Sequence, residues 1–335
     1  MKKRLYLGFL LLFVILFLVA GCSNQRGESV NLLLKQPYSA LSDSIKQYPA
    51  DARFYLQRGL LLSQNNQHEI ATADYKKAWE ISVDAGAGLE YGSNLLLIGK
   101  TEEALIFLKD CQKKFSDNNE FGRRISEVYA QTGRRKEALA EYDKIIAQDS
   151  LNFLAYYERG LLLARLKDTA EALAALQKSY AIQPLNYTGL AIANIYSNQK
   201  DPRILTICDD MLKRDSLNAM VDPLLLKGIY YSDLKQYKPA LLLFDECIKR
   251  DWKFIDAYIE KGIVWYEQKE FDKALETFKL GATVSNINAD TYFWMGRCYE
   301  ALNDKIQAKE QYERALTFNK YLTEAEEGIE RLEAK

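Results

Sequence analysis

Few residues in this chain have types and spacings that could do chemistry. The one histidine, His68, sits beside Asn65, Asn66 and Gln67 and reads as an exposed turn residue rather than a ligand or base. A single imidazole excludes histidine-dependent triads and histidine-rich metal sites. Carboxylates are plentiful, but they follow helical surfaces and form no pair around a pocket. No Walker-type loop, GxSxG, HExxH or strand-borne GxGxxG is present. Cys208 and Cys298 fall on helical stretches, and neither they nor Cys111 and Cys247 have a CxxC partner. Spacing alone selects no disulfide among these four thiols. The expectation is therefore no catalysis, no metal and no cofactor.

The fifth thiol, Cys22, stands apart. Lys2, Lys3 and Arg4 precede an uncharged run, Leu5 to Ala20, that is rich in Leu and Phe, and Val19-Ala20-Gly21-Cys22 closes it. A basic start followed by an apolar stretch is the layout of an export signal. Such a run is at the short limit for a spanning helix, which needs roughly 17–25 residues; an uncleaved anchor is the alternative. The closing motif resembles the lipobox of bacterial lipoproteins. That resemblance implies that residues 1–21 are a removed leader and that Cys22 is acylated and becomes the new N-terminus. Two or three acyl chains give stable anchoring where one does not. Ser23 after the cysteine implies traffic to the outer membrane, and the lack of a following acidic run implies a body facing the periplasm. Residues 22–31 are polar, aperiodic and read as a tether.

Which elements carry these residues follows from composition and periodicity. Of the 335 residues, 48% are hydrophobic and 27% charged, too apolar for a disordered chain. Only 6 Pro and 17 Gly suit long helices joined by short turns. The net charge of −1 becomes more negative by three when Lys2, Lys3 and Arg4 leave with the leader. Short basic runs such as Arg134-Arg135-Lys136 are interleaved with acids, so no nucleic-acid partner is expected.

Alanines recur at Ala71, Ala104, Ala138, Ala172, Ala240, Ala274 and Ala308, in steps of 33 or 34 residues with one double step. Twelve residues before them stand Gly59, Gly92, Ser126, Gly160, Gly228, Gly262 and Gly296, and aromatics follow at Tyr75, Tyr142, Phe244, Phe278 and Tyr312. This pattern resembles the tetratricopeptide repeat. It implies an all-α, right-handed superhelical solenoid of about eight helical hairpins over residues 51–322, with the fifth repeat degenerate. Small residues let paired helices approach, aromatics fill the gaps, and stacking buries what one hairpin cannot. Residues 32–50, with Leu41 and Ile45 at helical spacing, read as an N-terminal capping helix, and residues 323–335, with Ile329 and Leu332 on one face, as a C-terminal one. Gly99, Gly133, Lys167 and Lys235 mark turns within hairpins. Asn152, Pro184-Leu185-Asn186 and Asp215-Ser216-Leu217-Asn218 read as junctions that cap the next helix.

In such arrays the first helix of each hairpin lines the concave face. The resemblance places Tyr157, Leu161, Ala164, Leu190, Asn194, Leu225, Ile229, Ile259, Ile263, Phe293 and Arg297 there, an apolar lining edged by aromatics. The early repeats offer polar Arg53, Gln64, Arg123, Glu127 and Gln131. The family's run of lysines that clamps a peptide carboxylate is not matched. The expected function is a lipid-anchored scaffold binding an apolar peptide or amphipathic helix of a protein partner; several of these side chains could instead serve packing between repeats. The alternative is a glycan- or solute-binding lipoprotein.

Overall fold

The computed structural model describes residues 32–334. Residues 1–31, with the leader, Cys22 and the tether, lie outside the described residues. Two compact units meet in sequence between Ser150 and Leu151, and each is described by itself. Among the described residues there are eighteen α-helices and no strands. None of these helices is long and apolar enough to cross a membrane.

The first unit opens with α1 (Ser39–Gln47), followed by hairpins α2/α3 (Ala52–Gln64, His68–Ile81), α4/α5 (Ala85–Leu97, Thr101–Lys114) and α6/α7 (Asn119–Gln131, Arg135–Gln148). The expected N-terminal cap is thus a shorter helix than 32–50. Leu32 and Leu33 still pack on the core around Tyr38, Leu62 and Tyr75, while Leu34 points to solvent. Arg58 fastens α1 down. It donates through Nε and Nη2 to both Asp74 carboxylate oxygens at 2.7 Å, and through Nη1 to Ser42 Oγ at 2.9 Å. His68 is not an exposed turn residue. It is the first residue of α3 and half-buried, its Nδ1 lies 3.1 Å from Ser63 Oγ, and its carbonyl accepts from Asn94 Nδ2 at 2.9 Å.

The second unit contains hairpins α8/α9 (Phe153–Arg165, Thr169–Ile182), α10/α11 (Asn186–Asn198, Arg203–Arg214), α12/α13 (Asp222–Asp233, Tyr237–Arg250), α14/α15 (Ile255–Glu267, Phe271–Val284) and α16/α17 (Ala289–Ala301, Lys305–Phe318). The cap α18 (Thr323–Glu333) lays Ala325, Ile329 and Leu332 on the last hairpin and turns its acidic residues outward. In this unit, as in the first, the hairpins form an all-α solenoid.

The small-to-large pairing read from the repeat is a packing contact. A Cβ built on Gly160 would stand 2.7 Å from Leu176, and one on Gly296 2.6 Å from the Tyr312 ring, so neither tolerates a side chain. Where Ser126 replaces glycine, its hydroxyl donates to the Ala138 carbonyl across the hairpin at 2.9 Å.

The eight hairpin turns share one device. Asn66, Gly99, Gly133, Lys167, Lys200, Lys235, Lys269 and Asn303 all have left-handed backbone, with φ from 53–63° in the non-glycines and 75–76° in Gly99 and Gly133. The amide after each reaches back to close the first helix, as Gln236 N to the Tyr231 carbonyl at 2.8 Å. Two junctions differ from expectation. Leu185, not Asn186, precedes α10 and makes no side-chain cap. Asn218 is a left-handed loop residue, and α12 begins only at Asp222. Here the Asp215 carboxylate accepts from the amides of Ala219 and Met220 at 3.2 and 2.8 Å, and Arg250 braces the loop by reaching the Met220 carbonyl at 3.2 Å. Asn152 and Asn288 do cap their helices, through the amides of Ala155 and Thr291.

Cys111, Cys208, Cys247 and Cys298 are free thiols, all fully buried. Burial pushes Cys111 up to about 11 and the other three up to about 12, so they pack as small apolar groups and not as nucleophiles.

Candidate functional site

Within the second unit, α10 touches α12, α12 touches α14, and α14 touches α16, so consecutive first helices lie side by side. Their outer face carries most of the residues that the sequence singled out. Tyr157, Leu161 and Leu190 are half-buried and rest on a core of Leu176, Ile192, Tyr196 and Met211. Tyr157 meets Tyr187 edge-on with ring centroids 4.6 Å apart. Leu225 and Ile229 flank Phe244 and Val264, and Ile263 lies against the core around Phe278. Ala164 is half-buried, and Asn194 is the exposed polar residue of the set. The half-buried aliphatic side chains form a strip that keeps part of its surface in water.

Two residues of the set serve the interior. Ile259 and Phe293 are each only 9% exposed, which leaves little surface for a partner. Phe293 packs edge-on to Trp294 at 5.5 Å and tilted against Tyr312 at 6.0 Å. In these two repeats the side chain turns inward, whereas Tyr157 and Leu225 at the same repeat position, and Ile229 and Ile263 four residues on, stay half-exposed.

Arg297 ends the strip in a different chemistry. Its guanidinium carbon lies 5.5 Å from the Tyr266 ring, 5.8 Å from Trp294 and 6.0 Å from Phe293, and Nη2 donates to Tyr266 Oη at 3.3 Å. Tyr266 and Trp294 were not singled out from sequence. Trp294 occupies a position of the first helix that the family pattern does not assign to the groove, and no spacing signal marks it.

On α14, Glu260 is half-buried. Burial first, then Asp256, Asp233 and Glu267, push its carboxyl up to about 7. Nearby lysines are paired: Lys227 of α12 with Asp209, and Lys261 of α14 itself with Asp245 at 2.6 Å. The face therefore offers apolar area flanked by a few charges.

Comparison with known proteins identifies the hairpins. Tetratricopeptide-repeat profiles match residues 52–82, 124–187 and 289–321, so repeats of that kind are found over those segments. The Hsp70-Hsp90 organizing protein of Triticum aestivum is similar at 24% identity over 251 residues, which covers 70% of this chain. The chain spans only 41% of that relative's length. Among solved structures, the C-terminal part of a TPR repeat-containing protein from Cytophaga hutchinsonii aligns with TM-score 0.52 at 13% identity, covering 72% of this chain and 99% of that one. PilW, a type IV pilus biogenesis factor, aligns with TM-score 0.51 at 17% identity, covering 62% and 97%. At such identities the two structures speak for the fold alone.

Proposed function

We propose that this chain is a lipid-anchored scaffold of a bacterial cell envelope that holds a segment of a partner protein on the first-helix face of its second unit. The observation that carries the binding role is the half-buried strip of Tyr157, Leu161, Leu190, Leu225, Ile229 and Ile263 on adjacent helices. Apolar side chains left partly wet in a row are what an amphipathic helix or extended apolar peptide covers. The anchor rests on the sequence around Cys22, and an outer-membrane site facing the periplasm rests on Ser23 and the non-acidic tether. A chaperone tail is not the proposed partner, because position five of the repeats holds Leu56, Leu89, Arg123, Tyr157, Leu225, Ile259 and Phe293 and not the family clamp's run of lysines.

The test is capture of a partner by the full chain carrying Ile229→Asp with Ile263→Asp. Loss of capture with the helical signal intact supports the reading, and undiminished capture refutes it.

A further inference from the structure

Arg297 has a feature that other half-buried basic residues of the second unit lack. Among the described residues it forms no ion pair, and its one hydrogen bond is to Tyr266 Oη. Lys227, Lys261, Arg250 and Lys309 each have a carboxylate partner. A guanidinium carries five N–H donors in a planar fork, and leaving it half-buried without an anion is costly.

The chain contains an acid well placed to neutralise it. Glu300 lies one turn on along α16, at the spacing where helical side chains pair. That carboxylate is engaged elsewhere: Tyr312 Oη donates to Glu300 Oε2 at 2.7 Å, and Arg331 of the cap α18 donates to its two oxygens at 3.3 and 3.2 Å. The cap thus holds Glu300 short of an ion pair with Arg297, whose charge still helps lower the Glu300 carboxyl, and leaves the guanidinium's remaining donors open. The equivalent positions on earlier first helices are Ile263, Ile229 and Leu161, so one unpaired cation stands at the end of an apolar strip. Tyr266, Trp294 and Phe293 hold the guanidinium and shield it from water, which strengthens a charge-assisted bond formed there. Neighbouring α14 presents Glu260, Asp256 and Glu267, which repel an anion. Along the strip an acid on a bound segment is favoured at the Arg297 end.

We propose that Arg297 is the carboxylate receptor of this face and sets the register of the bound segment, which carries an acidic group beside its apolar anchors. This rests on the peptide-binding reading above. It uses one ring-held arginine and no run of lysines.

The probe is a library of 12-residue synthetic peptides, each with a free and an amidated C-terminus, screened against the full chain in detergent. The expected result is enrichment of peptides with Asp or Glu next to large apolar residues. Replacing that acid by its amide in the peptide, or Arg297→Gln in the protein, should weaken binding about tenfold or more. Glutamine-bearing peptides should bind both proteins equally. Arg331→Ala, away from the face, should weaken acidic peptides selectively by releasing Glu300 to Arg297. It also keeps the test alive if Arg297→Gln misfolds. Binding that survives amidation assigns the carboxylate to a side chain; binding lost on amidation assigns it to a chain end. Apolar peptides that bind without preference for an acid overturn this inference alone. No binding by any peptide overturns the peptide-binding reading with it.

Discussion

The ring of Tyr312 occupies the space where Gly296 would carry a side chain. A Cβ on Gly296 would lie 2.6 Å from both Cδ1 and Cε1 of that ring. From the other side, a Cβ on Gly328 of the cap would stand 2.6 Å from its Cε2. The hydroxyl beyond is bonded to Glu300. One aromatic side chain thereby joins both helices of the last hairpin to the cap and fixes the carboxylate that would otherwise reach Arg297.

Gly296→Val is expected to destabilise the chain by about 2 kcal/mol, because the ring is packed on all sides and cannot swing away. In an ordinary exposed helix, losing a glycine would stabilise. Urea unfolding followed by circular dichroism reads the sign, and a stabilised variant would mean that the ring has room.

Lys235 sits in left-handed backbone with φ 57° at the end of α12 and is exposed. An L-residue pays about 1–2 kcal/mol for that conformation, so Lys235→Gly should stabilise by about 0.5–1 kcal/mol after the roughly 0.5–1 kcal/mol entropy cost of glycine is set against it. The same denaturation experiment decides. A loss of stability would show that the lysine side chain makes a contact worth more than the strain.

Glu260 gives a pH signature. Its folded-state value of about 7 lies above the ordinary 4.5, so it binds its proton more tightly when folded. Below about pH 4.5 both states are protonated and it costs nothing. As pH rises from there to about 7 the unfolded chain ionises first and stability falls. Glu260→Gln should therefore leave Tm unchanged at pH 4 and raise it at pH 8, measured by thermal unfolding across that range. An equal gain at both values would assign the effect to packing.

The anchor is testable by composition. Cys22→Ser should abolish incorporation of labelled palmitate and leave the leader uncleaved, which is read by gel mobility. Labelling that persists in the variant would remove Cys22 from the account.

The hairpins, their glycine–aromatic pairing and the C-terminal cap were legible in the sequence, because each repeat restates the same constraint and Gly262 or Phe278 recurs where the pattern requires. The turns were only half legible. Gly99 and Gly133 announce left-handed backbone, whereas Lys200 and Lys269 adopt it with no residue signal, imposed by the closing helix end. The junction before α12 was misread since Asp215 and Arg250, far apart in sequence, reshape it. On the candidate face, periodicity picked out Ile229 and Ile263, which are half-buried on their first helices. It could not separate them from Ile259 and Phe293, which share the apolar character but point inward. The free state of Arg297 was invisible, for it depends on where Tyr312 and Arg331 send Glu300.

The most direct measurement is site-specific photo-crosslinking in intact host cells, with a photoreactive phenylalanine at Ile229 or Ile263 and, as control, at Leu242, which is 63% exposed on the second helix α13. The two first-helix positions should capture the same partner protein while Leu242 does not. Capture from Leu242 alone, or from none of the three, would contradict a partner held on the first-helix face.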